Sequence, residues 1–432
     1  MAIQALLVIL AVLLVLLFLG VPISYAIAVS SLTAILSSID LNVAVLTAAQ
    51  RTFVGMSKFS LTAIPFFILA GNIMNQGGIA KRLVDFVMSI LGKLPGALLI
   101  TNIGTNALFG AISGSASAAA AAVGSMIRDG AEEQGYDPAV TAATNAASSC
   151  SGLLIPPSNA LITYSLASGG TSVAALFMAG YVPGILMSMS MMITVAIIAK
   201  KRNYPTTREK FPPAKVVAKQ ALDSFWGLFF PFGIILGMRF GMFTPSEGGA
   251  VAVLYCFVIG KLVYKRLSFR KHFVPIVLDT IAGTSSVVLI MVSASVFGQY
   301  MTWINLPKIV TTAVLNLTSN KYAFLMLTNV ILLIMGMFLE GGAALMIITP
   351  LLLPVARSLG IGVYHFGLVA IVNIMIGGIT PPFGSMMFTT CGITKCPISD
   401  FLKEVWPFIV CLLTFFPTLI NIVPDLIYGA EV

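Results

Sequence analysis

The chain predicts an all-α polytopic membrane protein, built as two inverted repeats with discontinuous helices and two re-entrant hairpins. Three observations carry that prediction. Of its 432 residues 58 % are hydrophobic and only 9 % charged, with a mean hydropathy of +1.01, far from the balance of a soluble domain. A Gly-x-x-x-Pro-Pro break occurs twice at matched positions, "GLLIPPSN" from Gly152 and "GGITPPFG" from Gly377. The basic residues are crowded into a few loops.

Apolar stretches of bilayer-spanning length recur over Ala2 to Leu19, Ile23 to Ile39, Ala174 to Ala199, Phe225 to Phe240, Gly249 to Val263, Phe273 to Phe297, Phe324 to Leu339 and Trp406 to Val423. With the interrupted candidates between them they predict roughly a dozen helical elements, because backbone in lipid must satisfy its hydrogen bonds internally. The first run resembles a signal peptide only in hydropathy. Met1 to Gln4 has no basic residue and the run leads into Pro22 and more membrane sequence, so it is read as a retained helix. The five cysteines (150, 256, 391, 396, 411) show no CxxC spacing and read as apolar filler.

The repeats follow from landmarks with a near-constant offset. The two Pro-Pro breaks lie 225 residues apart, Pro22 and Pro245 lie 223 apart, and "GAISGS" from Gly110 falls 226 before "GMFLEG" from Gly336. These place a first repeat at 1–199 and a second at 222–432, joined by a basic linker at 200–221. Within them a hairpin is expected at about 103–127 and another at about 338–358. Broken helices are expected at about 139–168 and 365–392.

Charge gives the repeats a direction. Lys200, Lys201, Arg202, Arg208, Lys210, Lys215 and Lys219 occupy the linker, and Lys261, Lys265, Arg266, Arg270 and Lys271 the loop two spans later, half of the 24 lysines and arginines. The equivalent loop of the first half, 38–48, has one Asp and no Lys or Arg. Opposite bias at equivalent loops predicts opposite orientation, with both basic loops cytoplasmic and the N-terminus outside, an arrangement typical of secondary transporters.

Paired prolines remove amide donors and free the carbonyls one turn earlier, which lipid tolerates only beside a cavity. There the carbonyls of Gly152 to Pro156 could hold a cation, and Ser158 and Asn159 would open a second half-helix whose positive end faces an anion. A single break could equally be a packed kink; the matched pair favours the cavity. The tip around Ser113, Gly114, Ser115 and Ser117 reads as exposed backbone with hydroxyls, although close packing of small residues explains its alanines. Glu340, at the second tip in apolar sequence, is the acidic residue that points to substrate or cation contact. Glu247, three residues after Thr244, fits a capping box, and Asp137-Pro138 a helix start. Asp279 reads as interfacial and Asp85 as solvated.

Several classes are excluded. No GxxxxGK[ST] loop occurs, so neither ATP hydrolysis nor a nucleotide cofactor is expected. His272 and His365 stand alone, and no histidine lies near the serine-rich tip to activate a nucleophile. The chain does not read as an enzyme.

Taken together, "AIPFFILAGNIM" (63–74), "SGSASAAAAAVGSMI" (113–127), "GLLIPPSN" (152–159), "TPSEGGAVAVLY" (244–255), "GMFLEGGAALMIITPLLLP" (336–354) and "GGITPPFG" (377–384) resemble the large membrane (M) subunit of a TRAP transporter, the tripartite ATP-independent periplasmic class. The resemblance covers nearly the whole chain. It implies an ion-transporter-superfamily elevator fold and Na⁺-driven import across a bacterial inner membrane. It also implies two partners, a small four-helix membrane (Q) subunit and a periplasmic substrate-binding (P) protein. Carried onto these residues, one Na⁺ site would use Ser113, Ser117, Gly152, Ile155 and Pro156, and the second Gly341, Gly342, Gly378, Thr380 and Pro381. Substrate would meet Ser113, Ser115, Ser158, Asn159 and Glu340. Where many members carry Asp-x-Thr near the second tip, this chain has Glu340-Gly341-Gly342, which leaves carbonyls as the ligands there.

The class moves organic acids. A carboxylate at Glu340 repels a small dianion but accepts hydrogen bonds from a sugar acid's hydroxyls, which favours a sialic acid, with a C4-dicarboxylate next. The alternative is a stand-alone Na⁺/carboxylate symporter of the same architecture that needs no binding protein.

Overall fold

The structure, a computed structural model, describes residues 2–36, 40–91, 94–206, 212–382 and 384–412. The first half holds α1 (Ala2–Phe18), α2 (Ile23–Leu36), α3 (Leu41–Met56), α4 (Ala63–Gln76), α5 (Ile79–Leu91), α6 (Ala97–Ser113), α7 (Ala116–Glu133), α8 (Pro138–Leu154), α9 (Asn159–Ala167) and α10 (Val173–Lys201). The second holds α11 (Ala214–Arg239), α12 (Pro245–Val258), α13 (Phe269–Trp303), α14 (Leu306–Leu317), α15 (Lys321–Phe338), α16 (Gly341–Ser358), α17 (Val363–Gly378), α18 (Ser385–Thr394) and α19 (Ile398–Leu412). No strand occurs among the described residues.

These nineteen helices exceed the expected dozen or so, because glycine turns and Pro-Pro breaks divide stretches that read as single spans. Six of the described helical stretches are long and apolar enough to cross a membrane. α11 begins at Ala214, inside the segment expected to be linker. Its first turns carry Lys215 and Lys219, which made helical sequence read as a polar connection. The hairpins also extend further than expected: α6–α7 covers 97–133, and the segment expected at 338–358 is essentially the second arm of α15–α16. The broken helices are α8–α9 and α17–α18. Residues 413–423 of the expected last span, 37–39, and 207–211 of the linker, including Arg208 and Lys210, lie outside the described residues.

Local chemistry sets many of the boundaries. Thr244 opens α12 with both bonds of the capping box: its amide donates to Glu247 Oε2 at 2.7 Å and its Oγ1 accepts from the Glu247 amide at 3.4 Å. The carboxylate of Asp137 accepts from the Ala139 amide at 2.8 Å at the start of α8. Single prolines lie inside α10, α11 and α13 without ending them (Pro183, Pro231, Pro275). Two adjacent prolines do end α8 and α17, because consecutive donors are lost and the second ring blocks the turn that would bridge the gap.

Every residue of α8 from Ala139 to Leu154 is buried, as is every residue of α17 from Tyr364 to Gly378. Helices buried on all sides form the centre of the molecule. The other arms pack around them reciprocally: α7 lies on α18, and α16 on α9. At the crossing of α8 and α17 the Cys150 thiol lies 3.8 Å from the Met375 carbonyl. By contrast α11 and α13 expose Phe225, Phe232, Leu236, Phe273, Leu278 and Ile281, the apolar exterior that a bilayer requires.

Two backbone contacts fix the hairpins on the broken helices. A Cβ at Gly110 would stand 2.2 Å from Gly152 Cα, and one at Gly336 would stand 3.0 Å from Gly377 Cα and 2.4 Å from the Ile374 carbonyl. Both are helix crossings in which only glycine lets the backbones touch. Gly110→Ala and Gly336→Ala should therefore each destabilise the folded chain by about 1–3 kcal/mol, seen as an earlier melting midpoint in detergent. Gly298→Ala, whose added methyl meets nothing within 4 Å, should leave the midpoint unchanged.

Candidate functional site

The two hairpin tips and the two breaks meet at one cavity of about 120 Å³. Its walls include Ser115, Ser117, Asn159, Glu340, Gly341, Gly342 and Gly378 from the expected site, together with Leu153, Thr163, Ser385 and, from α13, Val287, Ile290 and Met291. The N-termini of α7, α9, α16 and α18 all border it, through Ala116, Asn159, Gly341 and Ser385. Each helix start presents unbonded amides and a partial positive charge of about half a unit. Four such ends around one space offer their positive poles to an anion without a single Lys or Arg in the wall, where Glu340 is the one charged side chain.

The first tip is held by its own hydroxyls. Ser113 Oγ accepts from the Ser115 amide at 3.4 Å and donates to the Ser115 carbonyl at 3.3 Å, so it closes the turn and does not line the cavity. Ser115 caps α7 by accepting from the Ala118 amide at 3.4 Å, and its Oγ lies 3.1 Å from that of Ser117. Gly114 turns the tip at φ +63°, a conformation that favours glycine. Its carbonyl accepts from the Asn159 amide at 3.3 Å, which docks the tip on the start of α9. Asn159 Oδ1 is buried and has no hydrogen-bond partner among the described residues.

Ser158 is 1 % exposed and caps α9, accepting from the Leu161 amide at 3.4 Å. Its hydroxyl faces the helix start and not the cavity. Pro156 and Pro157 deprive the carbonyls of Gly152 and Leu153 of their i+4 amides, and Leu153 lines the cavity. The Ile155 side chain packs beside Gly184 of α10, and the Leu154 carbonyl beside Gly180. Ile155 and Pro156 thus border the break without entering the cavity wall.

In the second break the Gly377 carbonyl accepts from the Thr380 amide at 2.9 Å, whereas Gly378 would have bonded Pro382 and has no such donor. The carbonyls of Gly378 and Thr380 converge beside Gly384, each 2.7 Å from where a Cβ would stand on that residue. A pair of carbonyl oxygens in a tight space without a side chain suits a hard monovalent cation. The Thr380 hydroxyl donates back to the Ile376 carbonyl at 2.7 Å, so of its two oxygens the carbonyl is the freer. Pro381 follows at the rim of the break. Phe383 lies outside the described residues. No cluster of three or more His, Cys, Asp or Glu occurs among the described residues, and the oxygens that border the cavity belong to backbone, hydroxyls, an amide and the Glu340 carboxylate.

Glu340 caps α16 by position, but its carboxylate makes no hydrogen bond to the helix start. It is exposed to the cavity and has no ion-pair partner among the described residues. His272 accepts at Nδ1 from the Ser268 amide at 3.0 Å, a structural role in the basic loop.

Against this geometry, residues 10–426 match the family model of the tripartite ATP-independent periplasmic transporter, DctM component. The chain belongs to this family as its large permease. The permease is 36 % identical to the isethionate TRAP transporter permease protein DctMQ of Oleidesulfovibrio alaskensis, over 91 % of this chain and 61 % of that one. It is 34 % identical to the sialic acid TRAP transporter large permease protein SiaM of Vibrio cholerae (96 % and 97 % covered). It is also 34 % identical to the C4-dicarboxylate TRAP transporter large permease protein DctM of Rhodobacter capsulatus (94 % of each). Among solved structures the Alcanivorax borkumensis YdaH transporter shares the fold, with a TM-score of 0.57 at 16 % identity, over 86 % of this chain and 87 % of that one. The permease is a multi-pass membrane transporter component, and its relatives are permeases and not enzymes.

Sequence reasoning missed Thr163, Ser385, Gly384 and the α13 wall. Gly384 lies 225 residues after Asn159, the offset of the two breaks, so the echo could have found it, whereas Ser385 falls opposite Ala160 and carries no such signal. Val287, Ile290 and Met291 carry no local signal, being ordinary apolar residues of a long span.

The accessibility pattern is testable by labelling. With the native cysteines replaced, Ser117→Cys and Glu340→Cys should react with a water-soluble maleimide, because both positions are exposed to the cavity. Ser158→Cys should stay unlabelled until the protein is denatured.

Proposed function

We propose that this permease carries out Na⁺-coupled secondary active import of an organic acid anion delivered by a periplasmic substrate-binding protein, working with a small four-helix membrane subunit in a bacterial inner membrane. The observation that carries the reading is the cavity bounded by four helix N-termini and by the carbonyls freed at two Pro-Pro breaks. An anion held at the helix ends and cations held by the carbonyls stabilise one another across a short distance, so each favours binding of the other. Na⁺ bound by Gly378 and Thr380 with Gly341 and Gly342, and by Gly152 with Ser117, would supply charge that the wall itself lacks. No nucleotide enters this scheme.

The movement proposed is an elevator. The hairpins and broken helices, α6–α9 and α15–α18, form the carrier, and α13 with the outer helices forms the wall against which it slides. Support comes from the central placement of α8 and α17 and from the apolar face that Val287, Ile290 and Met291 give the cavity. The halves are read as inverted repeats, with the N-terminus periplasmic and the basic linker cytoplasmic, on the asymmetry of Lys and Arg between equivalent loops.

For the substrate, Glu340 is the selecting group. Its carboxylate disfavours a second negative charge nearby and accepts hydrogen bonds from hydroxyls. That favours a hydroxylated monoanion such as a sialic acid over a C4-dicarboxylate.

Uptake in proteoliposomes tests the assembly directly: the large subunit with both partners should import a sialic acid only under an inward Na⁺ gradient, and the large subunit alone should not. Uptake by this chain alone would establish the stand-alone symporter instead. Gly384→Ala, whose methyl would stand 2.7 Å from two carbonyl oxygens, should raise the Na⁺ concentration for half-maximal uptake by about tenfold. Gly342→Ala, with open space around the added carbon, should change it little. Glu340→Gln should shift preference toward the dicarboxylate by about tenfold. A crosslink between Gly342→Cys and Val287→Cys should stop transport while Na⁺ binding persists; transport continuing through the crosslink would sink the elevator.

A further inference from the structure

A second cavity, of about 230 Å³, lies away from the transport site between α4, α12 and α13. Leu69, Ile73, Leu254, Phe257, Leu267 and Ile276 are among its walls, and Ser268 supplies one of its few polar groups. In a water-soluble protein an apolar recess open to the outside would be a liability. Here Leu254, Val274 and Leu278 around it are exposed on a membrane-facing surface, so the surrounding solvent is acyl chain.

The cavity ends at a basic stretch that runs from the helical turn Ile259–Val263 through a short loop into the first turn of α13. Lys261, Lys265, Arg266, Arg270 and Lys271 fall within eleven residues, and no acidic residue occurs between Glu247 and Asp279. Lys261 places its Nζ 5.4 Å from the ring centroid of Phe257, itself a wall residue. Arg270 and Lys271 lie between Ser268 and Phe273, both of which line the cavity. The loop is held in place: the Ser268 amide is bonded to His272, Arg82 of α5 stacks at 3.8 Å on the Tyr264 ring, and the Tyr264 hydroxyl donates to the Asp223 carbonyl at 2.6 Å. Asp85, on α5, is the nearest acidic residue along that helix and is exposed.

We propose that this cavity and its basic rim bind one anionic phospholipid from the leaflet that the loop faces, with part of an acyl chain in the recess and the phosphate at Lys261, Arg270 and Lys271. An apolar recess alone would take any lipid, and a basic loop alone would attract any anion. Their junction at Phe257 and Ser268 selects a molecule that is both. The site joins α4 of the first half to α12 and α13 of the second, so the lipid would brace the outer helices.

Native mass spectrometry of the purified full-length chain, delipidated and titrated with defined lipids, tests this. Phosphatidylglycerol should be retained at least about tenfold better than phosphatidylcholine of the same chain length, and inorganic phosphate should not compete. Substituting K261Q, R270Q and K271Q together should bring the two lipids to equal retention. V277W, which fills the recess and leaves the charges in place, should lower retention of phosphatidylglycerol several-fold without changing the melting midpoint of the delipidated chain. Equal retention of both lipids by the native chain, or undiminished phosphatidylglycerol binding in both variants, would overturn the proposal. So would competition by inorganic phosphate, which would make this a simple anion site. Crosslinking of Val277→Cys to the small subunit in the assembled complex would show a protein occupant and equally reject the lipid.

Discussion

Four amide hydrogens are missing at the centre of this molecule. Pro156, Pro157, Pro381 and Pro382 interrupt two helices that are buried on every side, and buried carbonyls without donors are costly in hydrocarbon. The rest of the architecture answers that constraint. Gly377 recovers a bond from the Thr380 amide. Leu153 and Gly378 instead border a cavity, where polar ligands can serve them. The half-helices that resume after the breaks begin at the same cavity, so carbonyl oxygens and helix N-termini, opposite in sign, share one small space.

Glycine makes that space possible by a second route. The close approaches at Gly110 with Gly152 and at Gly336 with Gly377 bring each hairpin onto its broken helix with no side chain between. The tips then reach the breaks, and Gly114 docks on the Asn159 amide. Gly152, a residue the sequence marks for cation binding, therefore has a packing duty as well: its α-carbon is in contact with Gly110 while its carbonyl is left without a helical donor.

Not all polar residues near the breaks face the cavity. Ser113 and Ser158 have the right type and position in sequence, yet the structure uses both hydroxyls for local turns and caps. Ser115, Ser117 and Asn159, one to four residues away, are the ones presented. On a helix or a tight turn a shift of one residue rotates a side chain by about 100°, and sequence patterns near a tip do not resolve that rotation. Glu340 was legible because an acidic residue in apolar sequence is rare enough to stand out.

The sequence alone determined the membrane class, the family resemblance, the two Pro-Pro breaks, and the capping box at Thr244. Each of these rests on short-range chemistry: hydropathy over a span, a lost donor at proline, a carboxylate three residues from a threonine. Helix ends were less well determined, since α11 starts among lysines that read as linker. Only the tertiary structure decided that four helix N-termini meet at one cavity, that α13 walls it with Val287, Ile290 and Met291, and that the Gly378 and Thr380 carbonyls converge beside Gly384. The reason is physical: those relations join residues up to about 270 positions apart, and they depend on how buried helices cross, which packing fixes and no local pattern encodes.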